Sequence, residues 1–511
     1  MSGSAAGRDQ EIEIKFKSDA AGLARLLEAP LLKTASDLRI ENLKATYFDT
    51  PSNALRKKGI ILRIRKSGDD VPVLGMKAPG AAGDGPFHRK EVEVKSPGLK
   101  PNLALFDKTT EAFLTRIIKG QPLGAKFKME FKRQSGLVTS GSSVIEIAVD
   151  QGHISCGKRP VPLAEVELEL VSGKKSDLLD LGTRLAQDFS LRLDFVSKAE
   201  KGFRGLLEEK PAPVKAAPIK SKALATIDDA VTAVISNTLA QFTANWACLR
   251  ETDEPEAIHQ MRIGLRRMRC ALSIFKRASP NAGFGTLRDD AGRLASAFGP
   301  VRNGDAIRIS VLQGPLASAD CPENSDVLRG VMEKRRIAGY ASAHSEIESL
   351  AATVFVLNVQ SLLARDDWRE VPPGAKPKMP TRKFFKAELS RLRARVLKRG
   401  KVASASDQAR HKLRIALKNL RYGVDLFDLF GSGKRRQVYK KRMSALQDLL
   451  GMRNDIVIAK TYLKELRVET GPEAEQVLEF IQGWYARDAT AADRKISTSL
   501  KKFKRMEPFW I

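Results

Sequence analysis

The 511-residue chain is poor in cysteine, and its four thiols, Cys156, Cys248, Cys270 and Cys321, are too scattered for a disulfide framework or a zinc site. A reducing compartment is the simplest reading. No apolar run approaches the roughly 18 residues of a membrane helix, so no membrane partner is expected. The opening "MSGSAAGRDQE" has no apolar core, so no secretory signal is expected and the cytoplasm is the expected location. Acids are also short: 60 Asp and Glu stand against 88 Lys and Arg, a formal net charge of +28. The excess is uneven, +7 over residues 1–210 and +21 over 211–511. Such a field predicts a polyanionic partner, whether nucleic acid, an anionic membrane or polyphosphate.

What is present falls into two halves. "EEKPAPVKAAPIKSK", from Glu208 to Lys222, is rich in Pro, Ala and Lys without apolar periodicity, and reads as a linker over 208–223. Before it, over 9–207, run eight short alternating segments: "EIEIKFK", "KATYFDT", "IILRIRK", "VPVLGMK", "HRKEVEVK", "KFKMEFKR", "SVIEIAV" and "LAEVELELV". They predict a large antiparallel sheet, curved or closed. After it, over 224–508, helical periodicity takes over, punctuated by Pro300 and "VPPGAKPKMP" (371–380). "IHQMRIGLRRMRCALSIF" from Ile258 repeats 152 residues later as "RHKLRIALKNLRYGVDLF" from Arg410. A second match, "LASAFGPVRNGDA" from Leu294 and "LQDLLGMRNDIV" from Leu446, follows with a one-residue slip. This half is therefore expected to be two tandem helix bundles, about 224–375 and 380–508. The fold class is α+β with an all-α C-terminal domain.

The strands carry their charge in an unusual way. In "EIEIKFK" the residues Glu11, Glu13, Lys15 and Lys17 share one face, and Ile12, Ile14 and Phe16 the other. Arg63 and Arg65 alternate in "LRIRK", Arg89, Glu91 and Glu93 in "RKEVEV", Glu146, Ala148 and Asp150 in "IEIAVD", and Glu165, Glu167 and Glu169 in "AEVELEL". An ordinary wet sheet face mixes charge with Ser, Thr and Asn; here acid-rich and basic strands are partly sorted. Sorted charge turned into a closed sheet makes a site that ions must fill. Clustered carboxylates repel unless a cation bridges them or some stay protonated. Hard divalent cations take oxygen ligands, and Arg and Lys grip phosphate oxygens. Together these parts suit phosphoryl transfer.

The run Glu11-x-Glu13-x-Lys15 resembles that of the CYTH superfamily, the triphosphate tunnel metalloenzymes. "YFDTP", "LRIR", Lys77, "RKEVE", a basic strand ending at Arg133, "EIAVDQG", "EVELEL" and "SKAEKG" with Lys198 follow in the same order. The resemblance implies an eight-stranded antiparallel tunnel that cleaves or cyclises triphosphates with Mg²⁺ or Mn²⁺. It implies metal ligation by Glu11, Glu13 and the Glu165/Glu167/Glu169 strand, with Asp150 a further candidate. Which last-strand glutamate ligates directly stays open. It also implies phosphate contacts from Lys15, Arg63, Arg65, Lys77, Arg133 and Lys198, with Glu91 binding metal or organising the bases. His88 reads as a partly exposed residue at a strand start and Asp49 as a turn former.

At 100° per residue, His259, Arg262, Arg266 and Arg269 fall within an arc of about 80°, opposite Met261, Leu265, Met268, Leu272 and Phe275. His411, Arg414, Lys418 and Arg421 repeat the stripe, opposite Leu413, Leu417, Leu420, Val424 and Phe427. No acid interrupts either stripe, so no i,i+4 pair is expected to relieve the repulsion. Each stripe runs about 15 Å and suits a linear polyanion. These helices resemble those of the CHAD family, whose Arg-Asp-x-Asp-type turn would appear as Arg302-Asn303-x-Asp305 and Arg453-Asn454-Asp455. The resemblance implies polyphosphate binding in a basic channel between the repeats, with Arg267, Lys412, Arg435, Arg436, Lys440 and Lys441 as extensions of the surface.

The expectation is a cytoplasmic, metal-dependent inorganic triphosphatase fused to a polyphosphate-binding domain, with polyphosphate granules as a place of attachment. The alternatives are a non-catalytic binder of polyphosphate or nucleic acid, and a tunnel enzyme for an organic triphosphate such as thiamine triphosphate or a nucleotide. Nucleic acid is the weaker partner, since phosphate electrostatics alone would recruit it. Oligomeric state is not legible.

Overall fold

The computed structural model describes residues 11–79, 88–157, 160–219, 226–279, 283–365, 368–369, 380–427 and 433–511. The side chains of Glu11, His88, Arg89 and residues 487–491 lie outside this description, as do the first ten residues, the end of the linker from 220 and the stretch 371–379. The chain forms two compact units that interleave in sequence. One comprises Met1–Pro213, Trp246–Thr252 and Ile347–Asp366; the other comprises Val214–Asn245, Asp253–Glu346 and Asp367–Ile511. Residues 208–219 carry neither helix nor strand.

The first unit is built on β1 (Glu11–Lys17), β2 (Ser36–Asp49), β3 (Ile61–Ser67), β4 (Val73–Pro79), β5 (His88–Lys95), β6 (Gly124–Ser140), β7 (Ser143–Ser155), β8 (Val161–Ser172) and β9 (Arg192–Leu193). All pairs are antiparallel in the order β5-β4-β3-β2-β6-β7-β8-β1-β9, and β5 also pairs with β1. The sheet therefore has nine strands rather than the expected eight. Eight close a tunnel, and the ninth is a two-residue addition beside Phe16 and Lys17. Closure removes the free edges that an open antiparallel sheet would expose.

Strand alternation decides which face is wet. Ile14 and Phe16 lie on the outer face and are fully buried, while Glu13 and Lys15 line the cavity. The apolar face points outward, so helices must cover it. The helices of this unit are α1 (Ala20–Glu28), α2 (Pro30–Lys33), α3 (Lys108–Ile118), α4 (Lys175–Asp188) and α5 (Lys198–Leu207). Gly182 lets α4 approach closely: a Cβ there would lie 3.2 Å from Ile14 and 3.5 Å from Phe16 and Leu168. Leu114 and Ile118 of α3 share a core with Leu62, Ile64, Leu74 and Met76. One end of the tunnel interior is apolar instead. There Tyr47, Phe127, Phe131, Ile154 and Leu163 pack on Ala199 and Phe203 of α5, which plugs it. Phe127 stacks on Tyr47 at 4.7 Å and meets the Phe203 ring edge-on at 5.1 Å.

Two segments beyond the linker complete this unit, and nothing in their sequence marks them for it. In α7 (Trp246–Glu251), which follows α6 (Ile227–Thr243) in the chain, Trp246 packs edge-on against Phe195 at 5.3 Å. Helices α8 (Pro255–Phe275), α9 (Phe284–Ala297), α10 (Gly299–Gln313) and α11 (Ser325–Ile347) come next, before α12 (Leu350–Ala364). Thr353 of α12 accepts the Leu193 backbone N–H at 3.2 Å, and Arg365 just beyond it clasps Asp180 of α4 at 2.8 and 3.0 Å.

The second unit contains α6, α8, α9, α10 and α11, followed by α13 (Thr381–Gly400), α14 (Asp407–Phe427), α15 (Lys434–Thr470) and α16 (Glu475–Lys504). α8 and α14 are the two copies of the long match, each of 21 residues. Gly299-Pro300 interrupts the first copy between α9 and α10, whereas Gly451-Met452 lies inside the unbroken α15. Proline lacks the N–H and clashes with the preceding turn, which explains the break. The Arg302 and Arg453 motifs lie within α10 and α15, not in turns. The one-residue slip also disappears. Arg302 meets His259 and Asn454 meets His411 at the same separation of 43 residues, so Asn454 is the counterpart of Arg302.

Gly202 sits where α5 presses on the tunnel lining, and a Cβ there would lie 2.3 Å from the Phe127 ring. Gly202→Ala should destabilise the first unit by about 1–3 kcal/mol through overpacking. Denaturant titration would show a lowered midpoint, and hydrogen exchange would show lost protection in α5.

Candidate active site

Register places the charges that alternation only assigns to a face. Glu13 on β1 lies opposite Glu169 on β8, and Glu169 lies opposite Glu146 on β7. Three carboxylates thus form a row across adjoining strands. The next rows mix the signs: Lys15 lies beside Glu167, and then Glu165, Asp150, Arg133 and Glu41 follow in succession. Glu13, Lys15, Arg63, Arg65, Lys77, Glu91, Glu93, Arg133, Glu146, Glu167, Glu169 and Lys198 all line one cavity of about 520 Å³.

Two ion clusters form the walls. Arg133 donates to both oxygens of Asp150 at 2.7 Å and to Glu167 at 2.6 Å. The Lys198 ammonium touches Glu167 at 2.6 Å, Asp150 at 2.8 Å and Glu165 at 2.9 Å, and Lys15 reaches Glu167 at 2.8 Å. Burial penalises the Glu167 charge, but Lys15, Lys198 and Arg133 outweigh it and hold the carboxyl well below its ordinary range. Burial likewise opposes the Lys198 ammonium, yet Glu165, Glu167 and Asp150 hold its pKa well above the usual lysine value. On the other wall Arg63 contacts Glu91 and Glu93 at 3.2 Å, Lys77 contacts Glu91 at 3.0 Å, and Arg65 contacts Glu93 at 3.4 Å. Arg63 first and then burial lower Arg65, and this wall sets the three bases Arg63, Arg65 and Lys77 against the two acids Glu91 and Glu93.

Glu169 behaves differently. Burial, and then Glu146, Glu91 and Glu13 against the opposing pull of Lys77, push its carboxyl up to about 7. Like charges facing each other across strands are destabilising, and a cation would relieve them. This donor set fits a hard divalent ion. Among the described residues no three such groups stand at ligating spacing as they are. Glu13, Glu169 and Glu146, with Glu91 opposite, are the carboxylates that would hold one.

Asp150 and Glu165 are placed otherwise. Both are fully buried behind the lining, Asp150 between Arg133 and Lys198, Glu165 between Lys198 and Lys201. They orient bases. The Glu11 side chain lies outside the described residues, although its backbone pairs with Arg89. Asp49 forms its turn by accepting the backbone N–H groups of Thr50, Leu55 and Arg56. The sequence reading missed Glu146 as a site residue. Alternation in "IEIAVD" was the available signal, but it could not rank Glu146 above Asp150 without the register.

In the second unit the two basic stripes adjoin. The Cys270 thiol of α8 donates to the Asn419 carbonyl of α14 at 3.6 Å. Burial first, then Arg266 and Arg414, push Lys418 down to about 7. Arg262 falls to about 10 through burial and then Arg266 and Arg302, while its guanidinium donates to the Ala295 carbonyl at 2.7 Å. Arg269 rests on Gly292, whose Cβ would meet it at 3.2 Å. His259 accepts the Arg302 Nε–H at 3.0 Å, and burial together with Arg302 lowers its pKa, so it adds no standing charge. His411 is exposed, with Nδ1 2.9 Å from Asn454 Oδ1.

The stripes are less bare than expected, since Arg421 lies 3.8 Å from Asp425 at i,i+4. Of the suggested extensions, Lys440 pairs with Asp425, Arg435 with Glu507, and Arg267 with Gln241 and Asn237. Arg436 is buried over the Phe427 and Phe509 rings. Lys412 and Lys441 are exposed.

Comparison with known proteins follows the same division. An inorganic triphosphatase of Haemophilus influenzae (strain ATCC 51907 / DSM 11121 / KW20 / Rd) is 32% identical over 165 residues, covering 31% of this chain and 44% of that protein. The chain thus spans less than half the length of that curated relative. The CHAD domain from the plant Ricinus communis is 25% identical, with a TM-score of 0.45, covering 57% of this chain and 96% of that one. The Hippeastrum protein HpAC1, whose structure is described as revealing a dominant triphosphatase activity, is 17% identical with a TM-score of 0.29, covering 40% and 98%. Residues 9–203 match the family model of the CYTH domain and residues 233–464 that of the CHAD domain. A CYTH domain followed by a CHAD domain is therefore the make-up of this chain.

Proposed function

We propose that the CYTH domain is a metal-dependent triphosphatase acting on inorganic tripolyphosphate, and that the CHAD domain binds polyphosphate. One observation carries the catalytic reading: a row of carboxylates, Glu13, Glu169 and Glu146, shares a cavity with Lys15, Arg63, Arg65, Lys77, Arg133 and Lys198. The relative from Haemophilus influenzae supports the same reaction class. Phosphate oxygens would take over the donors that now rest on Glu91, Glu93 and Glu167. Arg63 and Arg133 offer forked donors; Lys15, Lys77 and Lys198 offer point charges. Held by both walls, the chain of phosphates is fixed in line, and the leaving oxygen's charge grows among preorganised cations. Mg²⁺ or Mn²⁺, when bound at the carboxylate row, supplies Lewis acidity toward the phosphoryl oxygens and a water of lowered pKa. Of the 25 residues lining the cavity 15 are charged; of the seven apolar ones, Leu43, Tyr47, Ile61, Phe131 and Ala199 belong to the plugged end, and Val73 begins β4 with Val71 just before it. That favours an inorganic chain over a substrate with a base or ring. In the CHAD domain burial first, and then Arg266, lowers Arg414 against the pull of Asp455, and burial, Arg266 and Arg414 lower Lys418, a strain that a polyanion would relieve.

Glu13→Gln with Glu169→Gln should lower kcat for tripolyphosphate at least about 100-fold, measured as phosphate release with Mg²⁺ or Mn²⁺. Equal rates in variant and wild type would refute the assignment. Stability gives a second readout. A carboxyl whose folded pKa is raised favours the fold while protonated, and that contribution is lost as pH rises from about 4.5 through about 7. Metal-free wild type should therefore lose up to about 2 kcal/mol relative to Glu169→Gln between pH 5 and pH 8. Millimolar Mg²⁺ or Mn²⁺ should restore it in wild type and not in the variant. For the CHAD domain, polyphosphate affinity should fall several-fold as pH rises through about 7, where free Lys418 loses its proton. Lys418→Arg should flatten that profile in calorimetric titrations.

A further inference from the structure

The ions of the tunnel do not stop at its lining. Glu165, beneath Lys198, also pairs with Lys201. Lys201 reaches Asp194 at 2.7 Å, and Asp194 meets Arg250 of α7 at 3.3 Å. Arg250 contacts Glu348 at 3.1 Å, and Glu348 closes on Lys17 of β1 at 2.7 Å. The signs alternate at every step. Asp194 is nearly inaccessible and is held down at about 2: Lys201 and then Arg250 outweigh its burial, and the Val196 N–H donates to it at 3.1 Å. Its own N–H donates to the Lys15 carbonyl at 2.9 Å. Arg250 and Glu348 lie beyond residues 9–203, on the two segments that the chain returns to this unit.

In a buried alternating chain each charge is placed by its neighbours, and removal of one leaves another uncompensated. Without Arg250, Asp194 keeps Lys201 as its one cationic partner among the described residues. Lys201 is then drawn toward Asp194 and away from Glu165. Glu165 turns its full charge on Lys198, which settles deeper and is less free to meet phosphate.

We infer that Arg250, supported by Glu348, is a positioning residue for the triphosphate tunnel, acting on Lys198 through Asp194, Lys201 and Glu165. The inference rests on the triphosphatase reading for its substrate. The CYTH tunnel is then incomplete without segments that lie after the linker.

The test is a double-mutant cycle in the full chain with tripolyphosphate and Mg²⁺. Arg250→Ala should raise KM about three- to tenfold and change kcat by less than twofold. In a Lys198→Ala background the same change should leave KM unmoved, because the group it positions is gone. Arg250→Lys, which keeps the charge, should recover most of the affinity. An equal KM rise in both backgrounds, or no rise in either, overturns the inference, since a general loss of packing would be additive. Should Arg250→Ala fail to fold, Glu348→Gln replaces it in the cycle with the same decision. Should wild type release no phosphate, the proposed reaction fails. The cycle is then read as calorimetric affinity for tripolyphosphate, where coupling to Lys198 supports the positioning role and additivity rejects it.

Discussion

The carboxylate of Glu167, shared among Lys15, Arg133 and Lys198, is the constraint on which the tunnel depends. A buried charge is tolerable only when its partners are fixed, and each partner here meets a further acid: Lys15 meets Glu13, Arg133 meets Asp150, and Lys198 meets Asp150 and Glu165. The interior is therefore a lattice of opposed ions rather than a packed apolar core. That choice dictates the rest of the unit. With charge inside, the apolar face of each strand must turn outward, and α3 and α4 are required to bury it. Water is limited at one end by α5, whose first residue, Lys198, is itself a member of the lattice. Plug and site are one element, which ties closure of the tunnel to placement of a phosphate-binding charge.

Much of this was legible because β alternation is strict. Glu13 and Lys15 had to share a face, and so did Arg63 with Arg65 and Glu165 with Glu167 and Glu169. Alternation cannot say which strands are neighbours or at what offset. Glu146 lies beside Glu169, and Asp150 beside Glu165, only because β7 and β8 pair in one register. A shift of two residues would keep every face and change every neighbour. This is why Asp150 read as a metal candidate and Glu146 did not. The short β9 was invisible for another reason: two residues carry no periodicity. α7 and α12 have ordinary helical patterns, and pattern does not reveal which core a helix joins.

The helical half shows the same division between pattern and partner. Its basic stripes follow from the 3.6-residue period, but their chemistry follows from what packs beside them. Gly292 leaves room for Arg269, and the Ala295 carbonyl takes a donor from Arg262. Asp425, four residues after Arg421, supplies a counter-charge that reading the stripe alone overlooked.

The structural register of the repeat sharpens this point. His259 and His411 occupy the same place in α8 and α14, yet one faces Arg302 and the other Asn454. An arginine N–H aimed at Nδ1 requires a lone pair there, so His259 is kept neutral as a hydrogen-bond acceptor. An amide oxygen at the same place accepts instead, so Nδ1 of the exposed His411 is the donor of that hydrogen bond. Two helices of matching sequence thus present the same side chain with opposite hydrogen-bonding roles at Nδ1. The stripe of His259, Arg262, Arg266 and Arg269 is therefore three arginines and a neutral ring. The number of charges offered to an anion is set by the neighbours of each side chain, which only the fold supplies.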